Sequence, residues 1–447
     1  MKIDFVAHGH TGKVLPVSDL LCQLDQRVAS HQNPYLRPLA EVLLQQVPDA
    51  LRSGLSADSL FESLDAVSHF LKTRKKTIQV KLLPLEEAGR YFLFSNAPDA
   101  NYIFTSIQEY LHREAFNFRV VCHPILTVTR KNGEIVSIAG AEGEGARESL
   151  VWIELNHFAK TGEKALLAAV ELIISACLQI SASRQSLLER MKDLGRGEGL
   201  DAYADLFGWL CDDNFLPIAA RSFREKEGQV IVLNDNRYGE DSLFSDPLGQ
   251  NLTPIDLCQD AFAARATTSS RVILDKSALR SPVHHFERLT YLGVRETRTS
   301  GEVIEQGFWG FYTRQESDEP ALGIPVLHDR IDKVLNDLHI LPASHNYRKI
   351  REILNSFPKV ELFLMGNAEL QRMVQFFVQM HRQSGVKIVV APNMSGSGLT
   401  LLLIMPRSFY SVAGMARIEN YLKRYFRAEA VDSRVIHLST DYLSVHV

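Results

Sequence analysis

The stretch 358–447 constrains the fold most, because apolar runs of strand length alternate in it with amphipathic runs of helix length. VELFLM reads as a strand. Ala368 to Arg382 sets Leu370, Val374 and Phe377 along one side of a helix, and VKIVVAP and LTLLLIM form a hairpin across NMSGSG. From Ser411 to Phe426, Val412, Met415, Ile418, Leu422 and Tyr425 recur at helical spacing, and SRVIHLS closes the unit as a strand. The order is β-α-β-β-α-β, the ferredoxin-like arrangement.

An earlier block repeats strand, helix, strands, helix. RYFLFS is strand-like, Tyr102 to Glu114 carries Ile103, Ile107, Tyr110 and Leu111 on one helical side, and RVVCHPILTVTR returns to a strand. Asn132-Gly133 supplies the positive-φ pair of a tight hairpin into EIVSI, and SLVWIELN adds a strand. Leu166, Val170, Ile173, Cys177 and Ile180 then mark a buried helix. Its most apolar part, Ala165 to Ile180, is broken by Glu171 and Gln179 and is shorter than the roughly twenty residues that cross a bilayer. After a GRGEG linker, FLPIAARSF, QVIVLND, RVILDKS, RLTYLGVRET and VIEQGFWGFYT predict a second set of strands, with turns at Glu227-Gly228 and Ser300-Gly301. Pro325 falls in the first turn of a helix striped by Leu327, Ile331, Val334 and Leu338, and Ser344 caps the next. Ahead of all this, residues 1–75 read as helices punctuated by Pro34, Pro48 and Gly54.

A chain of 447 residues, 45% hydrophobic and 23% charged, has the composition of a globular protein of two to four domains. A net charge of -4 offers no general attraction for nucleic acid or an anionic membrane, and the short basic run Lys72, Arg74, Lys75, Lys76 reads as a solvated segment end. Five scattered cysteines without a CxxC pair predict reduced thiols, and the N-terminus has no apolar signal core. These features predict a cytoplasmic protein with neither nucleic acid nor membrane as partner.

Catalytic signatures are missing from the sequence. GAEGEGARE at 140–148 and SGSG at 395–398 lack the GxGxxG spacing of a dinucleotide turn. HGHTGK departs from a phosphate loop at Ala7 and Val14. His8 with His10, and His284 with His285, could clip a metal, but neighbours on a strand point to opposite faces, so the second pair cannot easily share an ion. The expectation is no catalytic, cofactor-binding or metal-ligating residue in the chain.

The strongest signal is the run from Arg280 to Phe363. In order, SPVHHFERLTYLGVRETRTSGEVIEQGFWGFYT, IPVLHDRIDKVLNDLHILPASH and FPKVELF resemble phrases of the N-terminal, non-catalytic region of the large bacterial NAD-dependent glutamate dehydrogenases. His285 stands where that family tends to have Arg, and Lys359-Val360 where Arg-Asp is usual. These substitutions read either as exposed charge losses that alter contacts with a catalytic half, or as drift in packing positions.

The resemblance implies an α+β fold of tandem ACT-like (ferredoxin-like βαββαβ) modules with antiparallel sheets, joined by helices. A helical segment at 1–75 would precede modules at 76–195, 200–324 and 358–447, with a helical connector at 325–357. It implies a regulatory and oligomer-forming role in an enzyme that oxidises L-glutamate to 2-oxoglutarate and ammonia. NAD would belong to a catalytic domain outside this chain, and the chain alone would be inactive. Implied partners are a second copy through the ACT-like modules, the catalytic dehydrogenase segment and an amino-acid effector. ACT modules take small ligands where the first strand turns into the first helix, because free N–H groups there attract a carboxylate. SNAPDANYIFTS is that turn, although Asn101-Tyr102-Ile103 replaces the family's Pro-Phe-Leu and Thr105 its Asp. Together with SPVHHF it yields Asp99, Asn101, Ser281 and His284 as candidate regulatory-ligand residues. The alternative function is a stand-alone ACT-type amino-acid sensor that regulates a partner protein.

Overall fold

The computed structural model describes residues 17–28, 33–45, 57–72, 74, 76–84, 89–132, 134–140, 143–197, 199–226, 229–233, 271–284, 287–297, 303–313, 319–357, 359–379, 385–392, 399–428, 431, 433–437 and 442–446. HGHTGK, the 395–398 glycines, Cys258, His285 and the turns at Gly133, Glu227-Gly228 and Ser300-Gly301 involve residues outside that set. The described residues form two compact units, one of residues up to 182 together with 281–284, the other of residues from 183 to 280 and from 287 onward.

In the first unit, helices α1 (Val17–Val28), α2 (Leu36–Leu44) and α3 (Ala57–Lys72) precede a sheet. Its strands are β1 (Gln79–Pro84), β2 (Tyr91–Pro98), β3 (Asn117–Cys122), β4 (Ile125–Lys131), β5 (Glu134–Ala139) and β6 (Ala146–Asn156). The order is β1-β2-β6-β4-β5, and β3 pairs with β6 along the same edge as β4. Helix α4 (Ile103–Arg113) carries the chain from β2 to β3, so β6 separates the two strands it connects, a split β-α-β.

Alternate residues of β2 and β6 set Phe92, Phe94, Leu150 and Trp152 on one face, where they join Leu36, Leu39, Leu43, Val67 and Phe70 of the helices. Phe92 meets Trp152 edge-on at 5.2 Å and Phe70 lies 5.6 Å from Phe94. Two buried carboxylates, in step with Leu150 and Trp152 along β6, flank this aromatic layer. Glu148 is held by Arg74 at 2.8 Å and Arg130 at 2.9 Å, and Glu154 by Arg90 and Arg119. Each carboxylate is desolvated, and two guanidinium groups offset that cost.

Helix α5 (Glu163–Gly195) contributes residues to both units. It runs 33 residues, and although its most apolar part alone reads as too short, the helix is long and apolar enough by length and composition to cross a membrane. Leu166, Val170, Ile173, Ile174, Cys177 and Ile180 of that helix are buried.

After the end of α5, the second unit contains α6 (Ala204–Trp209) and a five-stranded antiparallel sheet of order β8-β7-β11-β10-β9. These strands are β7 (Phe215–Lys226), β8 (Gln229–Leu233), β9 (Val272–Arg280), β10 (Arg288–Thr297) and β11 (Val303–Tyr312). Tyr291 lies opposite Trp309, and Gly293 opposite Gly307. The Tyr291 ring crosses the strand so closely that a Cβ on Gly307 would lie 2.6 Å from its Cε2, and its hydroxyl donates to Glu305 Oε1 at 2.6 Å. Arg295 Nε donates to the other Glu305 oxygen at 3.0 Å, so a fully buried carboxylate is paired. At Gly310 the register with β7 shifts, and a Cβ there would meet the Leu216 carbonyl. Glycines in QGF and WGF thus permit close packing.

Helices α7 (Leu327–Asp337), α8 (His345–Ser356), α9 (Lys359–Leu364) and α10 (Asn367–Gln379) follow. Their Leu327, Ile331, Leu354, Leu362 and Phe377 join Leu292 and Phe308 in one core. Ser344 accepts from Tyr347 N at 3.1 Å as the cap of α8. The last sheet has order β12-β13-β15-β14, from β12 (Lys387–Pro392), β13 (Leu399–Pro406), β14 (Arg434–His437) and β15 (Tyr442–His446), with α11 (Val412–Phe426) between β13 and β14.

Several local expectations are corrected. VELFLM is not a strand: residues 359–364 form α9, and a short run buried all round carries no period that separates the two conformations. Lys359 is not exposed but 1% accessible, its ammonium donating to the carbonyls of Asn355 at 2.9 Å and Phe357 at 3.2 Å at the end of α8. Arg330 treats the end of α9 alike, donating to the carbonyls of Leu362, Phe363 and Met365. Pro325 lies before the helix, whose first turn follows Val326 at φ 67. The strand beside β13 is β15, and SRVIHLS supplies β14 at the edge. His284 lies in a bend after β9 at φ 65, so the strand argument about the histidine pair does not hold there.

Candidate functional site

At the end of β2 the backbone of Asp99 donates to Arg147 O at 2.9 Å, and its carboxylate pairs with the Arg147 guanidinium at 3.0 Å. Asn101 then leads into Tyr102, which sits at φ 71 and ψ -3 immediately before α4. A left-handed tyrosine persists only where its surroundings hold it. Here its carbonyl accepts from Ser106 N at 2.9 Å, Ser106 Oγ at 2.6 Å and Thr105 Oγ1 at 3.1 Å.

His284 completes that arrangement from far along the chain. Its backbone N–H donates to Ser106 Oγ at 2.7 Å, and its ring lies 4.9 Å from that of Tyr102. Ser106 Oγ also lies 3.6 Å from Cys177 Sγ of α5, so one hydroxyl gathers α4, α5 and the 281–284 segment. Ser281 is used differently. Its hydroxyl donates to Val283 O at 2.6 Å and accepts from Val283 N at 3.2 Å, which closes its own turn. Asp99 and Asn101 therefore share the turn, His284 is joined to it through Ser106 and Tyr102, and Ser281 shapes the approach of the His284 segment.

Sequence reasoning missed His123, which follows β3 beside this turn. Its ring stacks on Phe104 at 4.6 Å, its Nε2 lies 3.0 Å from Ser149 Oγ, and Asn96 Nδ2 donates to the Ser149 carbonyl at 3.3 Å. Burial lowers the His123 pKa below the ordinary histidine value, with the Asp99 carboxylate pulling it the other way. A neutral imidazole, a hydroxyl, and a carboxylate paired with a guanidinium thus cluster at one end of the sheet. Among the described residues, no group of three or more His, Cys, Asp or Glu side chains is placed to hold a metal ion.

The family described as "Glutamate dehydrogenase, helical motif 1" matches residues 324–382, the segment of α7 to α10. Over 353 residues the chain is 23% identical to an NAD-specific glutamate dehydrogenase of Pseudomonas aeruginosa, covering 74% of this chain and 22% of that protein. Over 447 residues it is 22% identical to the Halomonas elongata enzyme of the same name, covering 90% of this chain and 27% of the relative. The chain is similar to a region of the large NAD-specific glutamate dehydrogenases. A third such relative, from Mycobacterium tuberculosis, is 23% identical over 342 residues, covering 72% of this chain and 20% of its own length. The chain spans between about a fifth and about a quarter of the length of these glutamate dehydrogenases. Within the matched glutamate dehydrogenase motif, Arg330 and Lys359 terminate helices, so their charges serve packing.

Proposed function

We propose that this chain is a regulatory and oligomer-forming region of a cytoplasmic NAD-dependent glutamate dehydrogenase, with the conversion of L-glutamate and NAD to 2-oxoglutarate and ammonia carried by a catalytic segment outside it. The observation that carries this reading is the use made of the family phrases. Tyr291, Glu305, Gly307, Gly310, Arg330 and Lys359 are each engaged in packing or helix termination. The antiparallel sheets flanked by helices, and the split β-α-β of β2, α4 and β3, support ACT-like modules. The test mixes the purified chain with the remainder of the Pseudomonas aeruginosa relative, expressed without its matched region. Association, with a change in NADH formation from L-glutamate, is expected, while the chain alone forms no NADH. Turnover by the chain alone, or no association at all, defeats the reading.

A second reading, the stand-alone amino-acid sensor, is favoured by the Asp99–Arg147 pair, whose two charges 3.0 Å apart match the ammonium and carboxylate of a zwitterion. Thermal-shift measurements against the twenty amino acids decide it. A stabilising amino acid whose effect disappears in Asp99→Asn supports the sensor, and a flat response throughout removes it.

A further inference from the structure

The last sheet is covered unequally on its two faces. Val389, Leu402 and Ile404 share a core with Phe377 of α10, whereas on the other face Met415 and Ile418 of α11 cover Leu403, Met405, Leu443 and Val445. A helix is roughly 10 Å wide and strands repeat at roughly 4.8 Å, so one helix covers about two strands of four. The half left open belongs to β12 and the residue before it, with Val386 45%, Ile388 61% and Val390 43% exposed. Between this half and α11 runs a groove of about 600 Å³, with Leu401 and Leu403 deep in it and Tyr421 and Tyr425 along its wall. Those tyrosines are 58% and 67% exposed.

The border of the groove is basic. Arg407, Arg417, Lys423, Arg424 and Arg427 are all exposed, and Glu419 is the one acidic residue between positions 407 and 427, in a chain of net charge -4. Arg417, Tyr421 and Arg424 occupy successive turns of α11, so cations stand beside the aromatic wall.

We propose that this groove docks an acidic amphipathic helix of a partner protein, with its apolar side on Ile388, Leu401 and Tyr425 and its carboxylates toward Arg417 and Arg424. The inference goes beyond the glutamate dehydrogenase reading and does not depend on it. A flat bilayer surface does not reach Leu401 and Leu403, which are only 8% and 5% accessible, and a second copy would set one basic border against another. Helix α11 has 15 residues, so an occupant lying beside it is about 22 Å, or roughly four turns, long, with anchors at i, i+4 and i+7.

The probe is a fluorescein-labelled helical peptide of roughly 16 residues, with leucines along one side and glutamates on the other, compared by anisotropy with its lysine counterpart on the full chain. The glutamate peptide is expected to bind, more weakly as salt rises, and the lysine peptide is not. Arg417→Glu with Arg424→Glu weakens the glutamate peptide by about tenfold, and Ile388→Glu abolishes binding, with unchanged melting curves because all three side chains are exposed. Equal binding of both peptides, no binding of the glutamate peptide, or indifference to Ile388→Glu overturns the proposal. So does co-sedimentation with phosphatidylserine vesicles that Arg417→Glu with Arg424→Glu removes, which assigns the groove to a membrane. A concentration-dependent dimer dissociated by Ile388→Glu assigns it to a second copy and equally overturns it.

Discussion

Tyr291 donates its hydroxyl to Glu305 Oε1 at 2.6 Å from the adjacent strand, and the ring that makes this bond fills the space above Gly307. A phrase that reads as a family signature is here a single packing unit of a phenol, a carboxylate and a missing side chain. Arg295 completes the charge balance.

Gly307→Ala is therefore expected to destabilise the protein by about 1–3 kcal/mol, because the new methyl group has no room beside the ring. Urea denaturation measures this. Removing the ring first, with Tyr291→Leu, should make the same substitution far milder, and an unchanged cost in that background would show that the ring is not the obstacle.

Glu148 supports Arg74 and Arg130 in a buried setting, and burial lowers the Arg74 pKa. Glu148→Leu leaves two guanidinium groups without their counter-charge and should cost about 3–5 kcal/mol. Adding Arg74→Met and Arg130→Leu to it should recover most of that loss in a thermal melt. A triple variant as unstable as the single one would refute this account of the charge balance.

Lys359→Met keeps the length of the side chain and removes the ammonium from the carbonyls of Asn355 and Phe357. A loss of about 1–3 kcal/mol is expected from the stranded carbonyls. Helical circular dichroism together with a denaturation midpoint would reveal it. A variant as stable as the parent would mean that Lys359 is carried there by packing alone.

Burial pushes the Cys177 thiol up to about 12 and the Cys211 thiol up to about 11, against an ordinary value of 9.0. Below pH 9 both folded and unfolded chains keep these protons, so the contribution is constant. Above it the unfolded chain releases protons that the folded chain retains, and stability falls as pH rises toward 12. Denaturation midpoints between pH 8 and pH 11 should decline less steeply in Cys177→Ala than in the parent chain. Parallel declines would place the loss elsewhere.

Strands such as β2, β10 and β11 are legible because their apolar and aromatic residues stand in compact runs between turn residues, and the Ser344 cap is legible because its chemistry is local. VELFLM misleads because a run buried on all sides has no period, and the five-residue β15 offers too few positions to show one. The candidate site divides in the same way. Asp99 and Asn101 are named from their place between strand and helix and His284 from its family phrase, but the contact of His284 with Ser106 spans 178 positions of sequence, a distance over which no spacing rule operates. His123 acquires its neutral, stacked setting only from Phe104 and Ser149, which the sequence places on other elements.

Among the described residues, 281–284 join the unit formed by residues up to 182, so that unit is not a continuous stretch of polypeptide. A ribosome adding 5–20 residues per second delivers residues 281–284 roughly 5–20 s after residue 182. During that interval Ser106 waits without the His284 N–H, and any fragment cut at residue 182 waits permanently.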